Sequence, residues 1–227
     1  AVEISTEHVA LGVKTTGVQR LLISPDARWV FVLHSDGRLL TVDLQNFSTP
    51  VIQAPLQMGT GEITQAEFLL GGSSLLISDN QGVTQQWFLV RDQDNGYRLT
   101  QIRSFSDPTP SRVVALTTEH RRKGFVVAEQ NGEVSLYNST AHNRVLTRTL
   151  TDQTVVQIAM APRANALLLE DGAGMISLWQ VDNEHPEVSW SSLWQEVWYE
   201  SYDRPDYVWQ SSASNDDFEP KYSLAPL

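Results

Sequence analysis

The 227-residue chain contains no cysteine, which excludes disulfide bonds, thiolate metal sites and cysteine nucleophiles together. Basic residues are also scarce, since 16 lysines and arginines stand against 27 acidic residues and give a formal net charge of −11. A nucleic-acid interface must neutralise phosphates with basic groups, so nucleic acid is an unfavourable partner. No apolar run approaches the roughly 18 to 20 residues of a membrane-spanning helix, and we expect no span within these residues.

Recognisable catalytic chemistry is missing as well. The five histidines are scattered, and the sequence has neither an HExxH metal motif nor a GxSxG nucleophile turn. The acidic group of Asp216, Asp217 and Glu219 has no glycine-turned loop around it and is typical of a solvated surface. We therefore expect no metal, no cofactor and no catalytic residue; an enzyme that uses a central funnel of the fold is the weaker alternative.

Four segments of the chain repeat the same pattern of an apolar strand, a turn, a second apolar strand, a glycine turn and a third strand. They span residues 18–44, 63–90, 113–138 and 155–181. Each segment is too short to bury both faces of a sheet by itself, so the segments are expected to stack on one another.

The turn glycines set the period of the repeat. Gly37, Gly82, Gly132 and Gly174 are separated by 45, 50 and 42 residues, close to the roughly 40 to 45 residues of a WD40-type propeller blade. Asp-Gly and Asn-Gly at two of these turns favour tight hairpins, because the central residues need positive φ. The fifth residue after each glycine is Val42, Trp87, Tyr137 or Trp179 in turn, and three of these are aromatic.

The second strands are nearly continuous in apolar residues, as expected of strands covered on both faces. They comprise 29–34, 74–78, 124–129 and 166–170. The sequence therefore predicts an all-β fold, a β-propeller with four WD40-like repeats over residues 1–183. Four blades is the lower limit for propellers, so the repeats form either a small closed propeller or part of a larger one. Val9 to Val13 reads as a strand of an earlier blade, and a β-sandwich or jelly roll is the alternative fold.

Residues 184–227 differ in composition from the repeats. This tail holds four of the seven tryptophans, four of the six tyrosines and a net charge of −7. Ser192 and Gln195 have capping-box spacing before an apolar stripe, which predicts a short amphipathic helix that ends near Arg204-Pro205. The aromatic residues fit either a cap over the propeller or contacts with a partner or a membrane interface.

The tail also carries a family resemblance. Residues 192–209, SLWQEVWYESYDRPDYVW, and the following stretch to Leu227 resemble the end of a large periplasmic insert in long proteobacterial permease subunits of phosphate ABC transporters. The resemblance implies a periplasmic docking or scaffold domain of an inner-membrane protein. Its implied partners are a second permease, an ATPase and a periplasmic phosphate-binding protein, with transport helices outside this chain. A generic protein-interaction propeller unrelated to transport is the alternative.

Two groups of residues are candidate contact sites. The partner-facing or membrane-proximal candidates in the tail are Trp194, Trp198, Tyr202 and Trp209. The second group is the basic cluster Arg121, Arg122 and Lys123, in the predicted turn between two strands of the third repeat. Basic groups attract an anion or an acidic partner, although a solvated loop tip is the favoured explanation of the cluster.

Overall fold

The computed structural model describes residues 16–59, 61–91, 96–162 and 166–182, together with the backbone of 189–192, 207–208 and 223–224. Its regular elements are all β-strands, and each predicted repeat forms one antiparallel sheet. The described residues hold no helix long and apolar enough to cross a bilayer. The chain divides into two compact units, Ala1–Val113 and Val114–Leu227.

The first unit contains two sheets. The first sheet consists of β1 (Val18–Ile23), β2 (Trp29–His34), β3 (Arg38–Asp43) and two short strands that both pair with β3, β4 (Val51–Ile52) and β5 (Leu56–Gln57). The second sheet consists of β6 (Ile63–Phe68), β7 (Ser74–Asp79), β8 (Thr84–Arg91) and β9 (Tyr97–Phe105), paired in that order.

The second unit repeats this arrangement. The third sheet consists of β10 (Val113–Thr118), β11 (Gly124–Glu129), β12 (Glu133–Asn138) and β13 (Asn143–Thr149). The fourth sheet consists of β14 (Val155–Met160), β15 (Ala166–Asp171), β16 (Ile176–Asp182) and β17 (Ser189–Ser192). A separate pair, β18 (Tyr207–Val208) and β19 (Ser223–Leu224), is antiparallel.

The four turn glycines have the backbone conformation that the sequence predicts. Their φ angles lie between +79° and +83°, in the left-handed region that favours glycine. Three of them also touch the connection that leads to the following sheet. A Cβ at Gly37 would lie 3.1 Å from the carbonyl oxygen of Gly61, and one at Gly82 would lie 2.6 Å from that of Ser111. A Cβ at Gly132 would overlap the carbonyl oxygen of Thr151.

The predicted apolar strands form the core of each unit. All six residues of β11 and the first five of β7 are buried. In the first unit, Phe31 and Leu39 of the first sheet share a core cluster with residues of the second sheet such as Leu75. In the second unit, Val126 and Leu167 belong to a cluster that joins the third and fourth sheets. Stacking therefore covers strands that a single sheet would leave exposed.

The positions five residues after the turn glycines are core positions in three repeats. Val42, Trp87 and Tyr137 are buried, and Trp179 is half-buried. These side chains sit on the third strand of their sheets, opposite an apolar residue of the second strand, as in the pairs Leu75 with Trp87 and Phe125 with Tyr137. The fifth residue after each turn glycine thus makes a core contact between the second and third strands of its sheet.

Some predictions fall on residues that the structure does not describe. The strand at Val9 to Val13 and the helix after Ser192 lie outside the described residues. Ser192 itself ends β17, whose backbone pairs with β16, so a strand of the fourth sheet comes from the segment after residue 183. The division of the chain at 183 stays a prediction.

Two glycines with nearly equal φ provide a test of the contact between turn and connection. We expect Gly132→Ala to lower the free energy of unfolding more than Gly174→Ala. Both substitutions incur about 1–2 kcal/mol of strain from the left-handed backbone conformation. Of these two glycines, Gly132 also lies against the backbone that connects the third and fourth sheets. Among the residues that the structure describes, a Cβ at Gly174 would meet no atom within 4 Å. Urea denaturation of both variants measures the difference, and equal losses of stability would contradict this role of the contact.

Candidate functional site

A cavity of about 280 Å³ opens between the first and second sheets, within the first unit. Its walls are mainly aromatic and aliphatic, and its mouth is formed by exposed residues of two turns. Its lining includes Ser24, Pro25, Asp26, Trp29, Phe31, Phe68, Gly71, Gly72, Ser73, Leu75, Trp87 and Phe88. We call this feature the aromatic cavity.

The inner walls of the aromatic cavity come from strands of both sheets. Trp29 and Phe31 lie on β2, and Trp87 lies on β8; all three are buried. Phe31 and Phe68 meet edge to face, with ring centroids 5.8 Å apart. The indole nitrogen of Trp87 donates to the Gln85 side chain at 3.1 Å, so the polar edge of this ring is satisfied.

Arg28 holds the ring of Trp29 from outside the cavity. Its guanidinium lies 4.9 Å from the centroid of Trp29 and 4.7 Å from that of Tyr97. The same group donates two hydrogen bonds to Asp43, at 3.1 and 3.0 Å. Burial would raise the pKa of Asp43, but hydrogen bonds from Arg28 and the Gln45 backbone lower it overall. The ion pair and the cation–π contacts together fix this wall.

The mouth of the aromatic cavity lies where two turns touch. Gly71 and Gly72, between β6 and β7, both have positive φ, at +91° and +67°. A Cβ at Gly72 would overlap the ring of Pro25 in the turn between β1 and β2. Consecutive left-handed residues and this close approach together require glycine here. The rest of the mouth is exposed, including Ser73 and Phe88.

Asp26 is the titratable residue of the lining, and it is exposed at the mouth. One carboxylate oxygen accepts hydrogen bonds from the Ser24 hydroxyl and from the backbone N–H of Arg28, the latter at 3.2 Å. The Ser24 hydrogen bond and then the Arg28 amide hold the pKa of Asp26 below its ordinary value. The cavity thus combines aromatic walls with a fixed negative charge at its entrance.

The basic cluster predicted as a contact site lies in the exposed loop between β10 and β11. Arg121, Arg122 and Lys123 are all exposed, in the turn where the sequence places them. Arg122 donates to Glu119 at 3.0 Å, and the carbonyl of Lys123 accepts from the Ser139 backbone at 2.8 Å. Glu119 therefore offsets part of the positive charge of the loop, and an anion-binding role for the cluster stays a prediction.

The tail candidates Trp194, Trp198, Tyr202 and Trp209 lie outside the described residues. The residues of the aromatic cavity were not identified as a site from the sequence, where Trp29 and Trp87 read as strand residues of the repeats. Their convergence depends on how two sheets stack. The sequence does carry one local indication of the mouth, the Gly71-Gly72 pair, which marks a turn between two apolar strands.

No protein-family model matches the chain, and no curated protein matches its sequence. Solved structures match its fold. The β-propeller domain of Cps50 (Swd1) from Myceliophteria thermophila has a TM-score of 0.62 and 15% identity, over 71% of this chain and 53% of that one. The RRP9 WD40 repeats have a TM-score of 0.62 and 14% identity, over 81% and 52%.

A designed protein shares the fold as well. The computationally designed Ika4 protein has a TM-score of 0.61 and 14% identity, over 79% of this chain and all of that one. The chain thus spans about half the length of the Cps50 and RRP9 propellers. Identities this low establish the fold alone. The four repeats adopt the β-propeller fold of WD40-repeat proteins.

Proposed function

We propose that this chain is a non-catalytic protein-interaction module that holds an apolar side chain of a partner polypeptide in the aromatic cavity. The observation that carries the proposal is a cavity with four aromatic rings in its walls and an exposed mouth. Small-molecule sites usually measure roughly 300–1,000 Å³, and this cavity, with about 280 Å³, lies at the lower end of that range. The space suits one large side chain of a peptide better than a cofactor or substrate.

The chemistry of the lining supports binding over catalysis. General acid–base catalysis requires positioned titratable groups, and Asp26 is the sole titratable member of this lining. Buried aromatic walls are instead the features of binding hot spots, where one anchor side chain contributes most of the affinity. The residues that line the cavity therefore favour recognition of a partner polypeptide through an apolar anchor side chain.

The negative charge of Asp26 at the mouth indicates which residues should flank the anchor in the partner segment. Asp26 is ionised at neutral pH, and its hydrogen bonds lower its pKa further below the ordinary value. The chain as a whole carries a formal net charge of −11. A partner segment with a lysine or arginine beside its apolar anchor would therefore be favoured electrostatically, mainly through faster association.

Filling the mouth tests the cavity directly. We expect Ser73→Trp to abolish binding of peptides selected on the unmodified chain from a randomised peptide array, because the new indole occupies the space of the anchor. Ser73 is exposed, so the substitution removes no core contact. Ser48→Trp is the matched control, since Ser48 is exposed in the same unit and does not line the cavity. Binding that survives Ser73→Trp unchanged would exclude the cavity as the site.

Neutralising the mouth tests the preference for basic segments. We expect Asp26→Asn to weaken binding of a lysine-containing selected peptide about two- to five-fold, the effect of an exposed ion pair, and to reduce its dependence on salt. Titration calorimetry at two salt concentrations measures both. Asp152→Asn removes the same charge from an exposed site in the other unit and should change neither quantity. An equal effect of both substitutions would indicate net charge alone.

The narrower proposal, a periplasmic docking domain of a phosphate-import permease at the bacterial inner membrane, rests on the resemblance of residues 192–227. Nearly all of this stretch lies outside the described residues. The partners would be the periplasmic phosphate-binding protein, the second permease and the ATPase of such a transporter. The proposal is compatible with an interaction module, and the two are tested separately.

Phosphate uptake tests the narrower proposal. We expect a full-length protein that lacks residues 18–183 to show reduced phosphate import in cells, because its docking surface is removed. Uptake of radiolabelled phosphate measures the loss, and the amount of full-length protein in the membrane serves as the control. Normal regulated import by this deletion would refute a docking role, while leaving the peptide-binding proposal to its own tests.

A further inference from the structure

Two loops of the third sheet lie side by side at one end of that sheet. One loop, residues 119–123, joins β10 to β11, and the other, residues 139–142, joins β12 to β13. Asn138, the last residue of β12, pairs with both Gly124 and Asn143, the first residues of β11 and β13. The strand register therefore brings both loops and the start of β13 to the same edge.

This end of the third sheet is positively charged in a chain that is acidic as a whole. Residues 119–124 and 138–145 contain four basic residues and one acidic residue, a local net charge of +3, whereas the whole chain carries −11. The four basic residues are exposed, and we call them the basic patch: Arg121, Arg122, Lys123 and Arg144. Such a local positive field attracts an anionic partner to this place on the surface.

The loop between β10 and β11 is fixed from inside by Glu119. The Glu119 side chain is buried, and its carboxylate lies where a Cβ at Gly124 would overlap it. The backbone N–H of Glu119 donates to the carbonyl oxygen of Gly124 at 2.9 Å, and Arg122 donates to the Glu119 carboxylate at 3.0 Å. A loop held in this way loses little conformational freedom when it binds a partner.

The turn between β12 and β13 is also held by a local contact. The side-chain oxygen of Asn138 accepts a hydrogen bond from the backbone N–H of Ala141 at 3.0 Å. His142 has a φ of +53°, a conformation that residues other than glycine adopt mainly in tight turns. Arg144 is the second residue of β13, so this turn fixes where its backbone starts.

Glu119 neutralises one cation of the basic patch. It pairs with Arg122, whereas in the described part of the chain no carboxylate pairs with Arg121 or Lys123. These two side chains flank the paired arginine in sequence and are exposed. The loop therefore presents charge that the protein itself does not offset.

The spacing of the cations indicates the form of the anionic partner. β12 separates Lys123, on the β11 side, from Arg144 on β13, and two strand spacings amount to roughly 10 Å. A polyproline II segment advances about 3.1 Å per residue with three residues per turn, so residues i and i+3 lie on the same side about 9 Å apart. Carboxylates at every third residue of such a segment therefore match the two sides of the basic patch.

We infer that the basic patch is a second interaction surface, which binds an extended acidic segment of a partner polypeptide with carboxylates at every third residue. A nucleic acid or an anionic membrane would place many further negative charges near the rest of a chain of net charge −11. A short peptide contacts the basic patch alone, and repulsion from more distant charges is screened beyond about 8 Å at physiological salt.

Titration of the intact 227-residue chain with synthetic peptides, followed by nuclear magnetic resonance, tests the inference. The probe is a peptide of four Glu-Pro-Pro repeats, which favours the polyproline II conformation. We expect amide shifts confined to residues 119–124 and 138–145 and a dissociation constant below about 1 mM. The same peptide with glutamine for glutamate should not bind. A peptide with four consecutive glutamates followed by eight prolines has the same charge and should bind about threefold more weakly, the effect of one lost ion pair.

Charge reversal assigns the binding to the basic patch. We expect Arg121→Glu/Lys123→Glu to weaken binding of the repeat peptide at least about tenfold, because two attractive pairs become repulsive. Arg98→Glu/Arg148→Glu is the matched control, since it changes the net charge equally at exposed sites outside the basic patch. Arg144→Gln tests the other side and should weaken binding about two- to five-fold. Circular dichroism checks that each variant is folded, and Arg144→Gln carries the test if the double variant is not.

Several outcomes would overturn the inference. One is an intact chain that does not bind the repeat peptide, which includes the case in which the acidic tail of the same chain occupies the basic patch. Equal losses in the double variant and its control would show an effect of net charge alone. Tighter binding of inorganic phosphate than of the peptide would identify a site for a single anion. Tighter binding of the peptide with consecutive glutamates would exclude the proposed spacing.

The inference and the proposed function are tested separately. No residue of the basic patch lines the aromatic cavity. Arg121→Glu/Lys123→Glu should therefore leave the binding of peptides selected through the aromatic cavity unchanged, and Ser73→Trp should leave the binding of the Glu-Pro-Pro peptide unchanged. Loss of the Glu-Pro-Pro peptide in the Ser73→Trp variant would show that it binds at the aromatic cavity and would overturn the inference.

Discussion

Face-to-face stacking of antiparallel sheets is the interaction on which the rest of this structure depends. A single four-stranded sheet cannot bury both of its faces, and β7 and β11 have buried residues on both. Stacking the first sheet on the second, and the third on the fourth, removes one face of each of these strands from water. At about 25 cal/mol for each Å² of apolar surface buried, this is the main source of stability for such a unit.

The turn glycines tie the sheets of a unit to one another. Their left-handed conformation closes the hairpin between the second and third strands, and the absence of a side chain lets the connection to the next sheet pass close by. Gly132 shows both functions, because a Cβ there would overlap the carbonyl of Thr151. One residue type thus sets the local turn and the path of the chain into the following repeat.

The aromatic cavity is a consequence of the same stacking. The turns at Pro25 and Gly72 touch each other, and the space behind them is lined by rings from both sheets. The ion pair between Arg28 and Asp43 stiffens one wall from outside. A recognition site on this fold therefore needs no added domain or loop insertion, since the junction of two repeats supplies its walls and its charge.

Burial also distinguishes equivalent residues of the repeats. Val126 and Leu168 occupy the same position in strands of nearly the same sequence character, yet one is fully buried and the other is half exposed. The difference lies in what stands next to each sheet.

The sequence by itself determined the repeats, the four second strands almost to the residue and the turn glycines. These features depend on local periodicity and turn chemistry, which short segments express directly. It also located Arg121, Arg122 and Lys123 in an exposed loop, but not their relation to Glu119. The aromatic cavity and the exposure of Leu168 were decided only by the tertiary structure. Trp29 and Trp87 are far apart in sequence, and whether Leu168 is covered depends on the neighbouring sheet, which no pattern within its own repeat records.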